Sequence, residues 1–203
     1  MLKGFVNRKY LSKVAVNKIR DGFKKSKPYP HFVLDGFFDE AMIKSIKNAL
    51  IKEEYEKVEK DLFSLSHTKD LVSSKNSEVK KLHSLLCSKE FIILMEKLTG
   101  LKLANKIDMQ SHKMVQGDYL LFHDDELEGR KIAYIVYLSD FKQSDGGKLR
   151  LYDIKKPINP VSEIMPKFNR FACFKVSKKS LHDVEEVKTS KQRLTIGGWV
   201  YGN

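Results

Sequence analysis

The hydrophobic period of this sequence changes near Gly100, and that change limits the folds open to the chain. Before Gly100 the apolar residues recur at helical spacing, and after it they alternate with polar residues over short stretches. The helical patterns cover 9–23, 39 to about 60, and 77–99. The predicted strands are 31–35, 105–115, 118–123, 131–138, 147–153, 170–176 and 193–201. Helices followed by a run of strands predict an α+β fold with a β-sandwich or barrel-like core.

Local signals mark where several of these elements begin and end. Asp39 is a candidate N-cap for the second helix, and Gly100 suits the left-handed C-cap of the helix before it. Two prolines in KPYPHFVLDGFF (27–38) exclude a helix there. Residues 61–76 are polar, which predicts irregular structure.

The length of 203 residues predicts a single domain with a sizeable core. We divide it into a basic N-terminal helix or arm (about 1–25), mainly helical support (26–100) and a β core (101–203). No apolar run approaches the ~20 residues that a membrane-spanning helix needs. Only two cysteines occur, so a disulfide framework is not expected. We expect a cytoplasmic protein, nuclear as an alternative in a eukaryote, that is a monomer or a weak dimer.

Positive charge is concentrated at the N-terminus of a chain whose net charge is +12. Most of that charge fits a solvated lysine-rich surface, although direct binding to nucleic acid is an alternative. Residues 1–30 contain one acid, Asp21, against nine basic residues: Lys3, Arg8, Lys9, Lys13, Lys18, Arg20, Lys24, Lys25 and Lys27. A basic helix is our preferred interpretation, with a basic arm or a mitochondrial presequence as alternatives.

A histidine and a carboxylate stand two residues apart in YLLFHDDELEGRK (119–131). Residues i and i+2 of a strand point the same way, so His123 and Asp125 can project together while Asp124 points away. His182, which follows the predicted strand RFACFKV, is the natural third ligand. Two histidines and one carboxylate form the facial triad of non-haem Fe(II) oxygenases. An HxD pair alone is also compatible with a purely structural role.

An arginine opens the last apolar strand, RLTIGGWVYG. If Arg193 points into a barrel, its charge needs an anion, and a guanidinium can hold a carboxylate through two hydrogen bonds. Thr195 lies on the same face of that strand. The alternative is an edge-strand arginine that faces water.

The order of these residues resembles the 2-oxoglutarate- and Fe(II)-dependent dioxygenases. The stretches LLFHDDELEGRKIAYIVYLSDF…GGKLRLYD and FKVSKKSLHDVEEV…RLTIGGW are similar to the prolyl hydroxylases that modify a small-subunit ribosomal protein in eukaryotes, and to their bacterial relatives. KPYPHFVLDGFF fits the start of that catalytic domain. The resemblance covers roughly residues 27–201. It implies a double-stranded β-helix, a jelly-roll or cupin-like core buttressed by N-terminal helices.

The resemblance also implies roles for individual residues. His123, Asp125 and His182 would bind Fe(II), and Arg193 would bind the distal carboxylate of 2-oxoglutarate. Tyr137 matches a tyrosine that hydrogen-bonds the same carboxylate; alternation along 131–138 lets only one of Tyr134 and Tyr137 face the pocket. Leu120 and Thr195 are candidate pocket-lining residues, and Trp199 is a core or pocket-wall residue.

The activity implied is that of a dioxygenase that uses Fe(II), 2-oxoglutarate and O2, with ascorbate as reductant, to hydroxylate a prolyl residue. The partner implied is a protein substrate, a small-subunit ribosomal protein in the first instance. Two alternatives stay open: an oxygenase acting on another protein, a nucleic acid or a small molecule, and a catalytically inactive β-helix that serves as a binding module. Eukaryotic members of that family carry a second, C-terminal domain of the same fold, without catalytic residues.

Overall fold

A computed structural model describes residues 2–202; Met1 and Asn203, which the predicted domain limits include, lie outside the described residues. The helices are α1 (Lys13–Lys25), α2 (Glu40–Leu50), α3 (Ser77–Leu86) and α4 (Lys89–Thr99). The first six strands are β1 (His31–Asp35), β2 (Glu56–Lys60), β3 (Phe63–His67), β4 (Gln110–Met114), β5 (Tyr119–His123) and β6 (Arg130–Tyr137). The remaining strands are β7 (Leu149–Leu151), β8 (Ser162–Ile164), β9 (Arg170–Lys175), β10 (His182–Val184) and β11 (Arg193–Tyr201).

These strands join in one antiparallel sheet in the order β1-β9-β6-β11-β4-β3-β5-β10-β7-β8, with β2 paired to β3 alone. Residues from strands as far apart in this order as β9 and β7 line a common cavity, so the sheet curls over on itself. This arrangement is the double-stranded β-helix, and it confirms the predicted α+β fold class.

Alternation along β6 divides the core into two parts. Ile132, Tyr134 and Val136 pack against the helices, while Ala133 and Tyr137 face the inside of the curled sheet. The two-residue period of a strand produces this division, because successive side chains leave opposite faces.

Phe171 on β9 anchors the helices to the sheet. Its ring stacks on Phe37 with centroids 4.6 Å apart and also contacts the rings of Phe38 and Phe91. Such aromatic clusters contribute more to stability than their buried area alone.

The structure confirms two predicted helix caps. The Asp39 side chain accepts a hydrogen bond from the Met42 N–H at 2.8 Å, and Gly100 caps α4 with φ 75°. The helical pattern predicted over 77–99 forms two helices in the structure, α3 and α4. Among residues 2–202 no helix has both the length and the apolar character that crossing a bilayer requires.

Two predictions before Gly100 are wrong. The second helix stops at Leu50 instead of about residue 60, because Glu56–Lys60 forms β2. Part of the irregular stretch 61–76 is the strand Phe63–His67, which β2, β4 and β5 all pair with. The interval 26–100 therefore supplies three strands as well as helical support. Sequence periodicity predicted β1 but missed β2 and β3, because β2 is almost entirely polar and β3 is held by β4 and β5, far along the chain.

We predict that Phe171→Ala lowers the free energy of unfolding by about 3–5 kcal/mol, because it leaves a cavity between helices and sheet. Urea unfolding followed by circular dichroism measures this loss. Val14→Ala, on a side chain that is 79% exposed, is the control and should change stability by less than about 0.5 kcal/mol. A loss below about 1 kcal/mol for Phe171→Ala would contradict the anchoring role.

Candidate functional site

His123 and His182 are brought together by the pairing of β5 with β10. The two residues are direct partners in the register, and their ring centroids lie 4.0 Å apart. His123 is the last residue of β5 and His182 the first of β10, so both rings project at the ends of their strands.

Asp125 reaches the same point from a turn. It lies past the end of β5, with a left-handed backbone (φ 63°) that non-glycine residues seldom adopt outside functional positions. Its carboxylate oxygens lie 3.5 Å from Nε2 of His123 and 3.4 Å from Nε2 of His182. The i, i+2 argument placed both side chains at a strand end, whereas Asp125 lies in the turn that follows β5.

The second nitrogen of each ring fixes its orientation. Nδ1 of His123 lies 2.8 Å from the Leu121 carbonyl, and Nδ1 of His182 lies 2.7 Å from the Ser180 carbonyl. A neutral imidazole that donates from Nδ1 keeps a lone pair on Nε2. One atom from each of the three side chains falls within 4.8 Å of the others, which is the geometry of three ligands on one metal ion.

The protonation states at this cluster favour metal binding. Burial lowers the pKa of His123, and the neighbouring His182 lowers it further. Burial alone would raise the pKa of the Asp125 carboxyl, but the adjacent imidazoles of His182 and His123 bring it down to about 2. A metal needs a neutral imidazole and an ionised carboxylate, and both forms are favoured here near neutral pH.

Arg193 is a buried cation whose partners in residues 2–202 are all uncharged. It is 4% exposed; its Nε donates to the Gly147 carbonyl at 2.9 Å, and one terminal nitrogen lies 3.6 Å from Sδ of Met114. Burial lowers the pKa of its guanidinium below the ordinary value. A buried charge of this kind calls for an anionic ligand.

Tyr137 lies beside that arginine, with the guanidinium carbon 5.3 Å from its ring centroid. Its hydroxyl is fully buried and has no hydrogen-bond partner among the described residues. Tyr134, by contrast, packs towards the helices and donates its hydroxyl to the Asp108 carbonyl at 2.8 Å. Leu120 and Thr195 line the cavity. Tyr134 and Tyr137 thus belong to different sides of the sheet, as the alternation along 131–138 predicts.

The three candidate ligands and Arg193 share one cavity of about 330 Å³. Its volume lies within the range of small-molecule sites. Trp199 forms part of the wall, and the guanidinium carbon of Arg130 lies 3.4 Å from the centroid of its ring. The remaining wall is largely apolar, from residues such as Phe63, Leu65, Ile135, Leu149, Phe174 and Val184.

Four residues that the sequence did not single out shape this cavity. Gly147 has φ 67°, and a side chain there would collide with Phe141 and crowd Arg193, so only glycine suits the position. Met114 contacts the Arg193 guanidinium. His67 and His112, on the paired strands β3 and β4, both line the wall, and burial together with Arg193 lowers the pKa of His112 to about 4. In the sequence, the double glycine at 146–147 was the feature that could have drawn attention to Gly147.

The donor set fits an Fe(II) ion and a dicarboxylic 2-oxo acid. Two imidazole nitrogens and one carboxylate suit Fe(II). Arg193 suits a carboxylate, because its positive charge is buried and no acidic side chain of residues 2–202 pairs with it. The Tyr137 hydroxyl beside it, which has no hydrogen-bond partner among the described residues, can donate to the same carboxylate.

Comparison with known proteins agrees with this chemistry. Residues 109–201 match the family model described as "2OG-Fe(II) oxygenase superfamily". The chain is 34% identical over 183 residues to a Xenopus laevis protein named prolyl 3-hydroxylase OGFOD1, covering 87% of this chain and 36% of that protein. It is 31% identical over 198 residues to an Ostreococcus tauri protein named prolyl 3,4-dihydroxylase OGFOD1, covering 86% and 38%. The chain thus spans little more than a third of these relatives.

Among solved structures, a Pseudomonas putida prolyl-4-hydroxylase superposes with a TM-score of 0.75. The match covers 93% of this chain and 99% of that one at 14% sequence identity. A likeness at this identity concerns the fold.

We predict that Asp125→Asn weakens metal binding more than the about 10- to 100-fold typical of changes outside the ligand shell, because it removes a charged ligand. Asparagine tolerates the left-handed backbone, so the turn should persist. Titration with Mn(II), followed through the fluorescence of the single tryptophan, Trp199, measures this loss. Asp124→Asn is the matched control and should bind metal as the unmodified protein does. Equal affinities for the two variants would exclude Asp125 as a ligand.

We predict that Arg193→Lys weakens 2-oxoglutarate binding by about 10- to 100-fold while metal affinity stays the same. Lysine keeps the charge but loses the planar pair of donors, and a charge-assisted hydrogen bond contributes about 1.5–3 kcal/mol. Calorimetric titration of the Mn(II)-loaded protein under nitrogen separates the two effects. Unchanged 2-oxoglutarate affinity would show that the carboxylate binds elsewhere.

Proposed function

We propose that this chain hydroxylates prolyl residues of a protein, on the basis of the match of residues 109–201 to the 2OG-Fe(II) oxygenase superfamily. The single observation that carries the proposal is a cavity in which a His-Asp-His cluster faces a buried arginine that has no acidic partner among residues 2–202. The first group suits Fe(II) and the second suits the distal carboxylate of 2-oxoglutarate.

The choice of a prolyl residue rests on the relatives. Two proteins that are 34% and 31% identical to this chain carry names that state prolyl hydroxylation, and the identity extends over 86–87% of this chain. Because the chain spans little more than a third of their length, their activity is a proposal for this chain.

Different residues of the chain would bind the metal ion and the 2-oxo acid. His123, Asp125 and His182 would hold the metal ion. Arg193 would hold the far carboxylate and so fix the depth of the 2-oxo acid in the cavity, with Tyr137 as a second donor. Thr195 and Leu120 would line its path.

When bound, Fe(II) supplies the redox chemistry that couples decarboxylation of 2-oxoglutarate by O2, giving succinate and CO2, to insertion of one oxygen atom into a substrate C–H bond. Such chemistry needs a site that excludes water and fixes both reactants. The apolar wall of Phe63, Leu65 and Phe174 meets the first need, and the paired strands that carry His123 and His182 meet the second.

Trp199 and Arg130 offer a surface for the substrate. The indole lines the cavity, its N–H has no hydrogen-bond partner among the described residues, and the guanidinium of Arg130 stacks on it. A pyrrolidine ring can pack on an aromatic face. We propose that this pair receives the prolyl residue.

The proposed partner is a small-subunit ribosomal protein, as the resemblance of HDDELEGR and its surroundings implies. A net charge of +12 is compatible with an approach to ribosomes, whose surface is anionic. A cytoplasmic, or in a eukaryote nuclear, location would follow from that substrate.

The proposal is tested by measuring succinate from 2-oxoglutarate with Fe(II) and ascorbate, with and without purified small ribosomal subunits. We expect the subunits to stimulate succinate release, and mass spectrometry to find one added oxygen on a proline of one of their proteins. Asp124→Asn should behave like the unmodified chain, and Asp125→Asn should be inactive. Basal turnover without stimulation would discard the ribosomal substrate. Metal binding without any succinate would favour an inactive binding module.

A further inference from the structure

The segments that carry Asp125 and His182 need a link that the sheet does not provide. Strands β5 and β10 pair at only two registered positions, His123 with His182 and Leu120 with Val184, and the register is irregular between them. Asp125 lies beyond the end of β5 on a left-handed turn. Ladder hydrogen bonds therefore do not set the distance between Asp125 and His182.

Ser180 lies between the two segments and is fully buried. Its hydroxyl oxygen is 2.7 Å from the carbonyl oxygen of Asp124, the residue between His123 and Asp125, and accepts the Ser177 N–H at 2.9 Å. The hydroxyl is also 2.5 Å from the Ser177 carbonyl.

A hydroxyl has one proton, so these two carbonyls compete for it. The Ser177 carbonyl already accepts the Ser180 N–H at 2.9 Å. Among the described residues, the donor to the Asp124 carbonyl is the Ser180 hydroxyl. The Asp124 carbonyl is part-buried and would lose its donor if the proton moved to the Ser177 carbonyl, so the proton is more stabilising on Asp124.

The backbone of Ser180 completes the link, since its carbonyl accepts from Nδ1 of His182 at 2.7 Å. One residue thus holds the turn before Asp125 through its side chain and orients the His182 ring through its main chain. We propose that Ser180 is a positioning residue that sets the separation of Asp125 and His182, and through it the affinity of the site for divalent metal. Ser180 itself touches neither metal nor substrate.

The inference rests on the metal-binding part of the proposed function and is independent of the substrate. The test is therefore metal binding by the full chain without 2-oxoglutarate or substrate. Co(II) is the probe, because its visible spectrum reports the ligand geometry as well as the affinity.

Ser180→Ala should raise the Kd for Co(II) by about 10- to 100-fold, the range for residues that support metal ligands, and should alter the Co(II) spectrum. Ser180→Cys, whose thiol is a weak donor, should fall between alanine and serine. Ser177→Ala is the matched control in the same turn. Among the described residues, the Ser177 hydroxyl accepts one hydrogen bond, from the Lys179 N–H at 3.3 Å. The Kd of this variant for Co(II) should stay within twofold of that of the unmodified chain.

Each outcome decides the question. A Ser180→Ala protein that folds and binds Co(II) within twofold of the unmodified chain overturns the inference, as does an equal loss in Ser177→Ala. If Ser180→Ala does not fold, Ser180→Cys is judged alone: a Kd raised more than twofold supports the inference, and a smaller change overturns it. Failure of the unmodified chain to bind Co(II) would instead overturn the metal site of the proposed function.

Discussion

The site depends on a permanent positive charge that the fold buries without a countercharge. Arg193 is 4% exposed and donates to a backbone carbonyl, while a thioether and an aromatic ring complete its surroundings. Removing a guanidinium from water costs several kcal/mol unless a partner compensates, and the described part of the chain supplies no carboxylate for it. In the free protein this desolvation cost is not compensated. A dicarboxylate that pairs with Arg193 compensates it, and this is the source of affinity for such a ligand.

The candidate metal ligands present the complementary problem of assembling two imidazoles and a carboxylate at one point. Antiparallel pairing of β5 and β10 places His123 opposite His182, and each ring is then oriented by a carbonyl two residues earlier in the chain. Asp125 depends instead on a left-handed turn, so its position needs support from outside the sheet. Strand pairing thus fixes two of the candidate ligands, and we propose that local hydrogen bonds fix the third.

Much of this organisation could be predicted from the sequence, because its signals are local. Alternation in RKIAYIVY separates Tyr134 from Tyr137, Gly100 marks a helix end, and the HxD spacing selects two candidate ligands. Glu56–Lys60 was missed because it is almost entirely polar, and it pairs with Phe63–His67 alone. Phe63–His67 was missed because its other partners, β4 and β5, lie far along the chain. The inward-facing His67 and His112 escaped notice for the same reason: their role follows from which strands are neighbours, and local pattern does not contain that.

The most direct test of the account is a crystal structure of the protein with Mn(II) and 2-oxoglutarate, grown without oxygen. The account predicts one metal ion bound by Nε2 of His123, Nε2 of His182 and the Asp125 carboxylate, with the distal carboxylate of 2-oxoglutarate on the Arg193 guanidinium. A metal ion held by other residues, or a 2-oxoglutarate whose carboxylates both lie away from Arg193, would contradict it.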